Sequence, residues 1–132
     1  MGSIEEEMKV NLSYIYDILG SMIEAQYWDE VVIEDYMGFV EDYQERIDSQ
    51  RSDAGIENFH DGLRIALKAI LNRTDVDQEE IFFKGAKHGL DSQEQAKNLF
   101  EMIWNSFFPN ENWHDDEFLI NEVVFVNETF FG

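Results

Sequence analysis

The chain has 132 residues and carries 29 acids against 9 lysines and arginines, a formal charge of −20. That sign and size argue against direct binding of nucleic acid or an anionic membrane, while 44% hydrophobic and 14% aromatic residues are too many for a disordered acidic tail. With no cysteine, disulfides, thiolate metal sites and thiol nucleophiles are excluded, and a cytoplasmic protein is expected.

The length fits a single acidic helical domain over 1–132, able to bury roughly two thirds of the surface its unfolded chain exposes. No run approaches the ~20 apolar residues of a membrane span, and Glu5-Glu6-Glu7 stands where a signal peptide needs basic and then apolar residues. The charge is uneven. Residues 1–50 hold 13 acids against Lys9 and Arg46, residues 51–100 hold 9 against 7, and residues 101–132 hold 7 against none. Two acidic ends thus flank a nearly balanced middle.

In chain order, Ser3 with Glu6 reads as a capping box opening a helix over about 3–26, with Ile4, Met8, Leu12, Ile15, Leu19 and Met22 at steps of three and four. A second helix is expected from near Asp29 to before Ser49, with Val32, Tyr36, Val40, Tyr43 and Ile47 on one face. Ile56, Phe59, Leu63, Ala66, Leu67 and Ile70 mark a third, stopping near Asn72. Thr74 or Asp75 would cap a short fourth helix that Gly89 closes, and Asp91 with Glu94 would open a fifth that Pro109 ends. The segment Val123-Val124-Phe125-Val126 has strand propensity but no obvious pairing partner, so an extended or β-like arm is favoured over a sixth helix. The fold class expected is mainly α, a compact bundle of about five helices with this ambiguous C-terminal segment.

The second helix carries the sharpest pattern. Beside its apolar arc lie Glu30, Glu34, Glu41, Glu45 and Asp48, widened by Asp35 and Asp42, with Arg46 the one nearby cation. Like charges at i,i+4 oppose the helix by a few tenths of a kcal/mol each. The stripe is either a solvated face or a surface that meets something basic. Five carboxylates over about 27 Å fall short of the roughly 16 phosphate charges of B-DNA over that length. Mimicry of a duplex therefore requires the stripe to share a face with Asp17, Glu24 and the tail acids Asp115, Asp116, Glu117, Glu122 and Glu128.

Motifs for chemistry are weak. Glu57-Asn58-Phe59-His60 has the Glu-x-x-His spacing of di-iron bundles in a single copy, and Asp75-Val76-Asp77 begins like a calcium loop whose sixth and twelfth positions, Glu80 and Ala86, are wrong. His60, His88 and His114 lack a nucleophile context, and no phosphate-cradling glycine motif occurs. No catalytic residue, metal or cofactor is expected. Gly20, Gly38 and Gly62 fall inside helices, where close packing is the expected reason. Arg64 and Lys68, one turn apart, are expected to pair with acids of a neighbouring helix such as the second. Tyr16 and Trp113 are the aromatics most expected at the surface, and Trp113-His114-Asp115-Asp116-Glu117 has the composition of an interface for an arginine-rich partner.

No motif carries a family resemblance. In charge, size and helix content the chain resembles two groups of inhibitors: nucleic-acid mimics of the anti-restriction or anti-CRISPR type, and immunity proteins or antitoxins that mask basic nucleases. The expectation is a non-catalytic protein that inhibits a basic, nucleic-acid-handling partner through Glu30, Glu34, Glu41, Glu45, Asp48, Trp113, Asp115, Asp116 and Glu117. The alternatives are an adaptor or assembly subunit docking through the apolar tail Val123 to Phe131, and a metal-dependent helical-bundle enzyme. Oligomeric state is left open by the sequence.

Overall fold

A computed structural model describes residues 7–27, 33–50, 52–73, 75–90, 92–120 and 122–127. The order is β1 (Glu7–Asn11), α1 (Ser13–Gly20), 3-10 turns at Ile23–Tyr27 and Ile33–Asp35, α2 (Tyr36–Gln50), α3 (Asp53–Asn72), α4 (Gln78–Ala86), α5 (Gln93–Phe107), α6 (Glu117–Ile120) and β2 (Glu122–Val126). The protein is mainly helical, with a small two-stranded sheet.

The long apolar periodicities fold as helices. In α3, Phe59, Leu63, Ala66, Leu67 and Ile70 are buried, and Ser52 caps the start by accepting from the Gly55 amide at 3.1 Å. In α5, Ala96, Leu99, Phe100, Ile103, Trp104 and Phe107 are buried behind a Ser92 cap. These two helices pack on each other, α1 packs on α3 and α4, and α2 lies against α5. Burying one apolar side chain of Val, Leu, Ile, Phe or Met size stabilises by about 1.5–3 kcal/mol, so this shared core is what holds the short helices in place.

Several boundaries differ from the expectation. The first helix does not run over 3–26: Glu7–Asn11 is a strand, α1 occupies Ser13–Gly20, and a 3-10 turn follows at Ile23–Tyr27. Local helix preference at 7–11 loses to a tertiary pairing. β1 lies parallel to β2 with Glu7 opposite Glu122 and Asn11 opposite Val126, and the Leu12 amide continues the ladder to the Val126 carbonyl at 2.7 Å. The C-terminal segment is thus a strand whose partner lies at the other end of the sequence. The Ser3/Glu6 capping box lies outside the described residues.

Helix α2 begins at Tyr36 after a 3-10 turn at Ile33–Asp35; the expected start near Asp29, and Val32 with it, fall outside the described residues. Asp77, not Thr74 or Asp75, caps α4, accepting from the Glu80 amide at 3.0 Å. Asp75 is held instead by Arg73. At the other end Lys87, not Gly89, adopts the left-handed conformation, φ 66°. Ser92, not Asp91, caps α5. No described helix is long and apolar enough to cross a membrane.

Candidate functional site

Helix α2 buries Tyr36, Val40, Tyr43 and Ile47, one residue per turn. A stripe that narrow leaves the opposite face to solvent, where Glu41, Asp42, Glu45 and Asp48 are all exposed, as are Glu34 and Asp35 in the preceding turn. Three polar contacts fix the rotation of the helix. The Tyr36 hydroxyl meets His88 Nε2 at 2.8 Å, the Tyr43 hydroxyl donates to Asp17, and Gln44 exchanges hydrogen bonds with Ser106, donating to its carbonyl at 3.0 Å and accepting from its hydroxyl at 2.7 Å. The acids cannot roll inward without breaking them.

The tautomer at the first contact follows from its surroundings. His88 Nδ1 lies 2.9 Å from the Ala86 carbonyl, which only accepts, so in the neutral ring Nδ1 carries the proton and Nε2 is the acceptor for Tyr36. Burial, aided by the nearby Asp35 carboxylate, pushes the Tyr36 phenol above its ordinary value and keeps it a donor.

One flank of α2 borders a groove of about 750 Å³ shared with the end of α1 and the first 3-10 turn. Glu24, Asp42 and Glu45 line it with Phe39 and the hydroxyl residues Ser21 and Ser49. Arg46, also a lining residue, holds its guanidinium 5.5 Å from the Tyr43 ring centroid. Glu24 from the first part of the chain therefore joins the α2 acids, whereas Asp17 is taken up by Tyr43 on the inner side of the helix. Phe39, Asp42, Arg46 and Ser49 recur at steps of three and four, a helical flank that the sequence displays, although Ser21, Ser49 and Phe39 lie outside the expected contact set.

The tail behaves differently. Arg64 forms a fork on Glu111, Nε to Oε1 at 3.0 Å and Nη2 to Oε2 at 3.1 Å, and also bonds Asp61 at 2.9 Å. Lys68 pairs with Asp115 at 3.2 Å. Buried Asn72 donates to the Trp113 carbonyl at 2.7 Å and accepts from the Asp115 amide at 2.9 Å, while the Trp104 indole donates to the Glu111 carbonyl at 2.9 Å. Residues 111–115 are thus stapled onto α3 and α5. Arg64 and Lys68 do pair with acids, but with this segment and with Asp61 of their own helix, not with α2: the α2 acids face away from the core that α3 centres. The four-residue spacing of Glu111 and Asp115 matches that of Arg64 and Lys68, a signal visible only once the two segments are set side by side.

The expected contact residues accordingly divide. Glu34, Glu41, Glu45 and Asp48 stand together on the exposed α2 side, and Glu30 lies outside the described residues. Asp115 is committed internally; an amide bond from Glu117, and then Lys68, hold its carboxyl below the ordinary value. Trp113 is half-buried, packed against the core with Lys97 5.7 Å from its ring centroid. Asp116 reaches His114 at 3.1 Å, and Glu117 is exposed.

For metal chemistry, His60 sits among the Phe59, Phe107 and Phe108 rings while Glu57 is exposed, and among the described residues no group of three or more His, Asp or Glu side chains is placed to hold an ion. Compared with family models, curated proteins and solved structures, the chain matches none.

Proposed function

We propose that the protein is a non-catalytic binding protein that inhibits or neutralises a basic, nucleic-acid-handling partner, with α2 as the docking element. The observation that supports this most is the fixed orientation of α2: Tyr36, Tyr43 and Gln44 lock its inner side, and Glu41, Asp42, Glu45 and Asp48 are turned outward with Arg46 as the helix's one cation. Such a surface steers a cationic cleft by long-range attraction and contributes rate and selectivity more than raw affinity. Phe39 and the α2 groove acids offer an arginine both a ring and carboxylates.

The reading is narrower than imitation of a long duplex. Glu111 and Asp115 are paired with α3 and Asp17 with Tyr43, which leaves the α2 acids, Glu24 and Glu117 as the available members of the expected set. That suits a compact cationic pocket better than a phosphate-tracking channel. An adaptor docking through Val123 to Phe131 has less support, because Val123–Val126 are paired with β1 and Val123 and Phe125 pack on the core.

The test is capture of partners from source lysate at low and at high salt, by the wild-type protein and by the double variant Glu41→Lys/Glu45→Lys. A basic protein recovered at low salt, released at high salt and not retained by the variant is the expected result. Recovery of no basic protein, or of one indifferent to both salt and the charge reversal, overturns the proposal.

A further inference from the structure

A second groove has the opposite chemistry. Beside the C-terminal end of β2, a trough of about 710 Å³ is lined by Tyr16, Lys84, Lys87 and Asn127 between the apolar walls of Leu12 and Phe125. Among the described residues no carboxylate lines it, although the chain holds 29 acids against 9 lysines and arginines. Its polar side chains are donors or can present one. The Tyr16 hydroxyl makes no hydrogen bond and the Lys87 ammonium no ion pair among the described residues, while Lys84 shares its ammonium with Glu80 at 3.1 Å. Burial pushes the Tyr16 phenol above its ordinary value, against the pull of Lys84 and with that of Glu80, so it remains a protonated donor.

Lys87 supplies an independent sign. It closes α4 in the left-handed region at φ 66°, where glycine is the unstrained residue and a side chain is a local penalty. The conformation lets the Lys87 amide donate to the Phe83 carbonyl at 2.9 Å and close the helix, a cap that glycine would make without the penalty. A lysine kept where glycine would serve the same cap unstrained breaks a local rule, and such breaks concentrate at functional positions.

Past Tyr16 and Lys84 the trough continues along β2, walled by Ile81 and Val123. The acids bordering this stretch are already engaged: Asp75 by Arg73, Asp77 by the α4 amides and Glu80 by Lys84. A ligand at the Lys87 end would meet donors at its head and Leu12 and Phe125 along its body, before the continuation brings in Arg73 and the paired acids. The net charge of the protein does not forbid an anion at that end, because exposed carboxylates beyond about 8 Å are largely screened at physiological ionic strength.

We propose that this trough binds a small amphiphilic oxyanion, a carboxylate or phosphate monoester with an apolar body, its head group between Tyr16, Lys84, Lys87 and Asn127 and its body along Phe125. The site shares no lining residue with the α2 groove, and the proposal does not rest on the reading of α2.

The experiment titrates isotope-labelled protein with octanoate, octyl phosphate and octanol, following amide shifts near Lys87 and Phe125. Binding of either anion supports the site, the preferred one identifying the head group, with octanol weaker by about tenfold or more, as loss of a charge-assisted hydrogen bond implies. Lys87→Gly and Lys84→Gln should each weaken the anion severalfold, and Lys87→Gly should at the same time raise the unfolding midpoint by relieving the left-handed lysine. Absence of binding by both anions, octanol binding as tightly as they do, or a Lys87→Gly protein that binds undiminished overturns the assignment.

Discussion

At Gly62 a single methyl group decides the packing of two helices. A Cβ built there would lie 2.3 Å from Cζ of Tyr14, so the α1 tyrosine ring occupies the space that any other residue would need. Gly62→Ala should therefore destabilise the fold by about 1–3 kcal/mol, as overpacking does. Gly38, in the exposed part of α2, meets nothing within 4 Å, and Gly38→Ala should stabilise by about 0.5–1 kcal/mol through helix propensity and a less flexible unfolded chain. Chemical denaturation of the two variants checks both signs. Close packing is the sequence-based reason for all three helical glycines, yet it holds for Gly62 and not for Gly20 or Gly38. The glycine whose position does resemble Gly62 is Gly85, where a Cβ would meet Leu19 at 2.5 Å. Nothing in the neighbouring sequence distinguishes these cases, because the obstructing side chain belongs to another helix.

Helix α3 and its C-cap residue Arg73 organise the middle of the chain through their cations. Arg64, Lys68 and Arg73 engage Glu111, Asp115 and Asp75, so three loop carboxylates are drawn onto one element. Asp75 and Asp115 are held below their ordinary value of 3.8, Asp75 chiefly by its bond to Arg73 and Asp115 chiefly by the Glu117 amide. The sign follows directly: a carboxyl depressed in the folded state contributes stability that is present above 3.8 and lost as pH falls through its lower folded value. Repulsion across the whole acidic protein relaxes over the same range, so a global melting temperature mixes opposite effects. Amide exchange separates them. On acidification below about pH 3.8, protection at Asp115 and Glu117 should fall before that of α5 core amides such as Ile103 and Trp104; loss in step with the core would contradict a locally held segment. The helices α2, α3 and α5 were legible from apolar periodicity because each buries a face at its own repeat. The staples were not, since ion pairing between α3 and a loop 47 residues on leaves no local period.

Over the whole molecule, the acid surface and the closing of the chain ends have separate consequences. With a charge of −20, self-repulsion opposes the compact state at neutral pH, and raising salt shortens the Debye length from about 30 Å at 0.01 M to about 3 Å at 1 M. The melting temperature should therefore rise with sodium chloride at pH 7, and an unchanged or falling value would mean that the internal pairs outweigh the repulsion. The sheet was the least legible part of the fold for a related reason: β1 and β2 pair from opposite ends of the sequence, and neither shows its partner locally. Bringing such ends together before the helices pack would cost loop-closure entropy with little in return, so the sheet should form late. Val10 tests this. It is fully buried where β1 meets β2 and α3, and Val10→Ala should remove about 2 kcal/mol. If pairing follows the rate-limiting step, folding changes by less than about twofold while unfolding accelerates about thirtyfold. Leu67→Ala in the middle of α3 should instead slow folding, because that helix supplies the surface on which the others assemble. A Val10→Ala chevron whose folding arm drops in proportion to the lost stability would place strand pairing in the nucleus and reverse this order.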